Sequence, residues 1–127
     1  MRRIALTAAL LLASIALPAM AQDAPPPGQR VFRAQCGACH VVEQGGRSGV
    51  GPNLHAIVGR RMGAIEGFRY SANIRAEAEK NTPWSEETLR AYLINPKSVL
   101  PTGIMPYAGL RNAQQLDDLI AYLKLQG

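Results

Sequence analysis

At 127 residues the chain has room for one domain. Its formal charge of +5 comes from 14 Lys and Arg against 9 Asp and Glu. Lysine occurs only at Lys80, Lys97 and Lys124, and the arginines are scattered without interleaved aromatics, so the clustered basic stripe of a nucleic-acid binder is missing and that partner is excluded.

In chain order, residues 1–21 read as a signal peptide. Arg2 and Arg3 form a basic start, Ile4 to Leu17 is apolar, Pro18 breaks the run, and Ala19-Met20-Ala21 offers small residues to a signal peptidase. A spanning helix needs roughly 20 apolar residues, more than this run supplies. The expectation is cleavage near Ala21, export to the periplasm and no stable membrane insertion afterwards. Cleavage removes two arginines and no acid, leaving a formal charge of about +3.

Residues 22–27, with Pro25-Pro26-Pro27, read as a Pro-rich lead-in, and the domain proper as 28–127. A helix is predicted from Gly28 to Gln35. Glu43 to Gly63 is glycine-rich and reads as irregular loop. Ser71 to Glu79 has the character of a short polar helix that Asn81 to Pro83 ends. Ser85 to Ile94 is a stronger helix: Glu86 and Glu87 complement the dipole of its first turn, Leu89, Tyr92 and Leu93 share a side, and Asn95-Pro96 terminates it.

Pro101 to Leu110 holds two prolines and two glycines and cannot be regular. The last helix opens with Asn112 and Gln115 as a capping box, then places Leu116, Leu119, Ile120 and Leu123 on one stripe. No alternating pattern is long enough for a sheet. The predicted fold is all-α, with three main helices, short helices and long loops. Long ordered loops in so small a domain need something central to wrap around.

Cys36-Gly37-Ala38-Cys39-His40 supplies a candidate for that centre, because Cys-x-x-Cys-His is the pattern of c-type haem attachment. On one helical turn, residues three apart point the same way, so both thiols reach the two vinyl groups of a porphyrin. The adjacent histidine then lies over the ring centre and can bind iron. A disulfide across so short a loop gains little. A thioredoxin-type pair wants a strand before it, and a zinc site wants a fourth donor beyond His55. The expected cofactor is one haem c, held covalently by two thioethers.

The second axial position decides the chemistry. Met105 lies in the irregular segment, where a loop can be shaped across a flat group, and Pro106 restricts it to extended angles. Met62, between Arg61 and Gly63, reads as a partly exposed side chain, and His55 as a loop histidine near the surface. His40 and Met105 are therefore the predicted metal ligands. A thioether favours ferrous iron, and filling both positions keeps oxygen and peroxide out, which leaves electron transfer and not enzymatic catalysis.

These residues resemble class I c-type cytochromes, specifically the mitochondrial-type cytochrome c group and its bacterial periplasmic relatives. The likeness runs from Gly28 to about Gln126 and includes Gly51-Pro52-Asn53-Leu54-His55, Gly59-Arg60, Gly67-Phe68-Arg69-Tyr70, Trp84, Asn95-Pro96 and Asp118 to Leu123. It implies that the Pro52 carbonyl holds the free ring N–H of His40. It implies that Tyr70 and Trp84 bind a buried haem propionate with Arg60 nearby. Tyr92 would donate near the Met105 sulfur, Asn73 would be the polar residue behind it, and Gly28 and Phe32 would meet Leu119 and Tyr122 where the first and last helices cross.

There are departures. Pro101-Thr102-Gly103-Ile104 stands where the family commonly has Pro-Gly-Thr-Lys, so the usual threonine hydroxyl is missing or displaced. The Ser71 to Pro83 segment is a few residues longer. Gln35, Gly49 and Ile104 occupy positions that carry docking lysines in mitochondrial proteins, which weakens steering towards acidic partners. The expected function is a soluble, monomeric single-electron carrier between membrane respiratory complexes or periplasmic oxidoreductases. A dedicated electron-accepting subunit of a periplasmic dehydrogenase is the alternative.

Overall fold

The computed structural model describes residues 24–127. The expected signal peptide, the expected cleavage site near Ala21 and the first residues of the expected lead-in lie outside the described residues. Among the described residues five helices follow one another: α1 (Pro27–Gln35), α2 (Ala72–Glu79), α3 (Glu86–Ile94), α4 (Pro96–Val99) and α5 (Ala113–Lys124). Among the described residues the extended pairing is a single isolated antiparallel bridge, Arg61 to Pro83.

α1 starts one residue inside the expected lead-in. Pro27 is its first residue, where proline's fixed φ suits a helix and its missing N–H would be unbonded anyway. α5 opens as the capping box predicts, with Asn112 Oδ1 accepting from the Gln115 N–H at 2.9 Å. It buries Leu116, Leu119, Ile120 and Leu123, the predicted stripe. α1 crosses α5 at Gly28, where a Cβ would lie 2.0 Å from the Asp118 carbonyl oxygen and 2.5 Å from Tyr122 Cβ. Phe32 and Tyr122 meet beside that crossing with ring centroids 5.7 Å apart.

α3 is capped by Ser85, whose Oγ accepts from the Thr88 N–H at 3.0 Å, and it buries Leu89, Tyr92 and Leu93. Glu86 to Lys124 at 2.7 Å and Arg90 to Asp117 at 2.6 Å tie its outer face to α5, exposed pairs that orient more than they stabilise. Pro96 does end α3, but it also starts α4, a one-turn helix that the sequence pattern did not reveal. α2 buries none of its residues and is capped by Ser71.

The glycine-rich loop is irregular but tightly held. Met62 donates its N–H to the Thr82 carbonyl at 2.9 Å, Gly59 to Trp84 at 2.7 Å, and Trp84 to Arg60 at 2.8 Å. These bonds turn Met62 inward, so it is only 1% exposed and not the partly exposed side chain expected from its polar neighbours. Local polarity misleads here because the side chain's direction is set by backbone pairing with a segment twenty residues on.

The α1–α5 crossing is the contact most sensitive to added volume. Gly28→Ala should destabilise folding by about 1–3 kcal/mol, the usual cost of forcing a methyl into a packed contact. Denaturant titration of the holoprotein checks it, with a midpoint lowered and a slope unchanged.

Candidate functional site

The Cys36 to His40 stretch continues the turn begun by α1. Cys36 donates its N–H to Phe32 at 2.8 Å, while Cys39 and His40 donate to the Cys36 carbonyl at 3.0 and 2.9 Å. Residues 36 and 39 therefore sit one turn apart on one wall, and both side chains line a cavity of about 330 Å³ with His40 beside them. Burial, with Cys39 adding to it, pushes the Cys36 thiol up to about 11. At neutral pH the free thiol stays protonated, which does not suit thiolate redox chemistry.

His40 is oriented by a second strand of chain. Its Nδ1–H donates to the Pro52 carbonyl at 2.8 Å, which fixes the tautomer and leaves Nε2 with its lone pair free. Pro52 is held in place because Gly51 donates to the Cys39 carbonyl at 2.9 Å and Leu54 to Val41 at 2.8 Å. Glycine is required at 51, since a Cβ there would come within 2.2 Å of His40 Cε1.

Tyr70, Trp84 and Arg60 line another part of the same cavity. Arg60 donates from Nη1 to the His55 carbonyl at 2.6 Å and from Nη2 to the Asn53 carbonyl at 2.9 Å. Its Nε is buried and has no partner among the described residues. Burial pulls its pKa below the ordinary value, and nearby Tyr70 opposes that shift. Tyr70 accepts the Ile65 N–H at 3.1 Å, which leaves its own proton available to donate.

Met105 lines the cavity too, and the Tyr92 hydroxyl donates towards its sulfur at 3.8 Å. Tyr92 packs on Trp84 at 4.9 Å, and burial raises its pKa, so the hydroxyl keeps its proton. The other two candidate donors do not reach the cavity lining. Met62 is in the core behind it, and His55 turns its Nδ1 to the Val42 carbonyl at 3.2 Å.

Asn73 has a different place from the one the resemblance implies. It does not line the cavity; its Oδ1 accepts from the Thr102 N–H at 2.8 Å and from the Thr102 hydroxyl. The Thr102 hydroxyl, one position earlier than the threonine of the family pattern, is thus turned to α2. The next residue, Ile74, lines the cavity instead. Sequence reasoning passed over Ile74, although an aliphatic residue in an otherwise polar helix was the available signal.

The residues present fit a porphyrin. Two thiols share one wall with a free imidazole nitrogen, apolar side chains such as Ile57, Ile74, Leu89, Leu93 and Leu123 line the interior, and the buried Arg60 Nε has capacity for a carboxylate.

Comparison with known proteins agrees with that fit. Residues 26–126 match the family described as Cytochrome c. The chain belongs to the cytochrome c family. It is 46% identical over 100 residues to cytochrome c-550 of Ancylobacter novellus, covering 79% of this chain and 92% of that protein. It is 43% identical over 126 residues to cytochrome c2 of Blastochloris viridis, covering 98% and 93%. Cytochrome c of Nigella damascena is 40% identical over 97 residues, covering 76% and 85%. The cofactor of this cytochrome is therefore one covalent haem c, with Cys36, Cys39 and His40 in the attachment arrangement, and its work is electron transport, not enzymatic turnover.

Because Gly51 is pressed against the imidazole, Gly51→Ala should remove most of the holoprotein, read as haem absorbance per polypeptide. Gly49→Ala, whose Cβ would meet the Cys39 carbonyl oxygen at 3.1 Å, should keep most of it.

Proposed function

We propose that this cytochrome is a soluble, exported single-electron carrier whose haem c has His40 and Met105 as axial ligands. The observation that carries the reading is that His40 and Met105 line one cavity, His40 with Nδ1 already spent on Pro52. When bound, haem c supplies an iron centre that cycles between two oxidation states by one electron. The chain's residues keep that change small. Pro52 holds the imidazole, Tyr92 holds the sulfur, and Arg60, Tyr70 and Trp84 form a polar pocket for a propionate. With ligands fixed in place, little has to move when charge changes.

The partners are redox proteins, membrane respiratory complexes or periplasmic oxidoreductases, met transiently by a monomer. The exposed residues at the cavity mouth include Val50 at 79% and Ile104 at 70% exposure, with Ala38 and Pro106 beside them. Such a mouth favours apolar contact over steering by a ring of charges. Export to the periplasm is supported by the basic and apolar start of the chain, and by an alignment with cytochrome c2 that reaches into that segment. Among the described residues no helix is long and apolar enough to cross a membrane.

Met105→Ala tests the ligation. The oxidised wild-type protein should show the weak long-wavelength band of a ferric iron–sulfur bond. The variant should lose it, bind cyanide readily, and show a reduction potential lower by an amount on the order of tenths of a volt. A variant with unchanged spectrum and potential would sink the assignment.

A further inference from the structure

The segment carrying Met105 has almost no backbone anchorage. Gly103 donates to Leu100 at 2.9 Å and Tyr107 to Met105 at 2.9 Å, both local bonds. Pro101 and Pro106 have no N–H to give. The first backbone bond from this segment to a helix that precedes it by more than a few residues is Leu110 to Leu93 at 2.8 Å, five residues past the methionine. What fixes Met105 must therefore be side-chain contacts. On the cavity side there is Tyr92, and sulfur is a weak acceptor.

Two stronger grips come from outside the cavity, on the two residues that precede Ile104. Asn73 of α2 accepts both the N–H and the hydroxyl of Thr102 through Oδ1, the N–H at 2.8 Å. A backbone N–H can only donate, so the carboxamide must face it with oxygen, and its orientation is settled by the bond. Lys97 of α4 donates from Nζ to the Gly103 carbonyl. Adjacent residues of α2 divide the labour, Ile74 lining the cavity and Asn73 holding the chain that crosses it. Since α2 buries no residue of its own, the Asn73 bond also seats α2 against the methionine segment.

We propose that Asn73 and Lys97 are positioning residues for Met105, a two-point latch on Thr102 and Gly103 that must open before the sulfur can leave its place. The proposal rests on Met105 being an axial ligand. Neither residue itself lines the cavity. Their effect is on how often the ligand segment swings away, and so on how well the iron site stays closed to small molecules.

The test is stopped-flow binding of imidazole to the ferric holoprotein at saturating concentration, where the rate is limited by release of Met105. Asn73→Ala and Lys97→Met should each raise that limiting rate roughly three- to tenfold, the worth of one net hydrogen bond. Thr102→Val should raise it too, and adding it to Asn73→Ala should give less than the product of the two effects. The resting ferric iron–sulfur band should stay, and hydrogen exchange at the Thr102 amide should quicken in Asn73→Ala. Arg61→Gln, which loses an exposed bond to the Ala78 carbonyl elsewhere on α2, should leave the limiting rate within twofold. Limiting rates within twofold of wild type in Asn73→Ala, Lys97→Met and Thr102→Val would overturn the latch while leaving the ligation intact. A wild-type protein without the sulfur band would overturn the ligation, and the latch with it.

Discussion

The bond from His40 Nδ1 to the Pro52 carbonyl is the contact on which the arrangement of the site depends. It selects the tautomer, aims Nε2, and can form only because Gly51 has no side chain to strike the ring. Keeping Pro52 there requires the glycine-rich loop to be anchored, which explains a loop so dense in specific bonds. Asn53 is buried with its amide shared between the Glu43 and Gly46 carbonyls, and its own carbonyl receives Arg60. One loop thus orients the imidazole at one end and the guanidinium at the other.

That loop has a price in backbone strain. Ala56 sits at φ 51°, a left-handed conformation that disfavours a side chain. The conformation is held from both sides, since the Ala56 N–H reaches the Gln126 carbonyl at 3.0 Å and the preceding carbonyl of His55 takes Arg60. The segment that follows α5 therefore supports the turn that holds the Arg60 guanidinium, though they are far apart in sequence. The helices do the complementary work: α1, α3 and α5 bury a continuous apolar shell, and the loops carry the polar groups between that shell and the cofactor.

Much of this was legible in the sequence because it is local. The caps at Ser85 and Asn112, the Leu116 to Leu123 stripe and the attachment turn at Cys36 to His40 each follow from residues within a few positions of one another. Met62, Asn73 and Ile74 were misread or missed for the opposite reason. Met62 is turned inward by pairing with Thr82, and Asn73 is turned outward by Thr102, 29 residues away. An irregular segment has no period from which to read which side faces in. α4 escaped notice because a single turn begun by proline looks, in sequence, like the end of α3.

The most direct measurement is the state of the two cysteines in the purified, mature holoprotein. Under denaturing conditions and acid–acetone extraction, the haem should stay with the polypeptide. The intact mass should exceed that of the bare chain by one haem, and neither Cys36 nor Cys39 should react with a thiol reagent. A folded, colourless protein with two titratable thiols, or a haem that extracts into solvent, would contradict a structure built around a covalently held porphyrin.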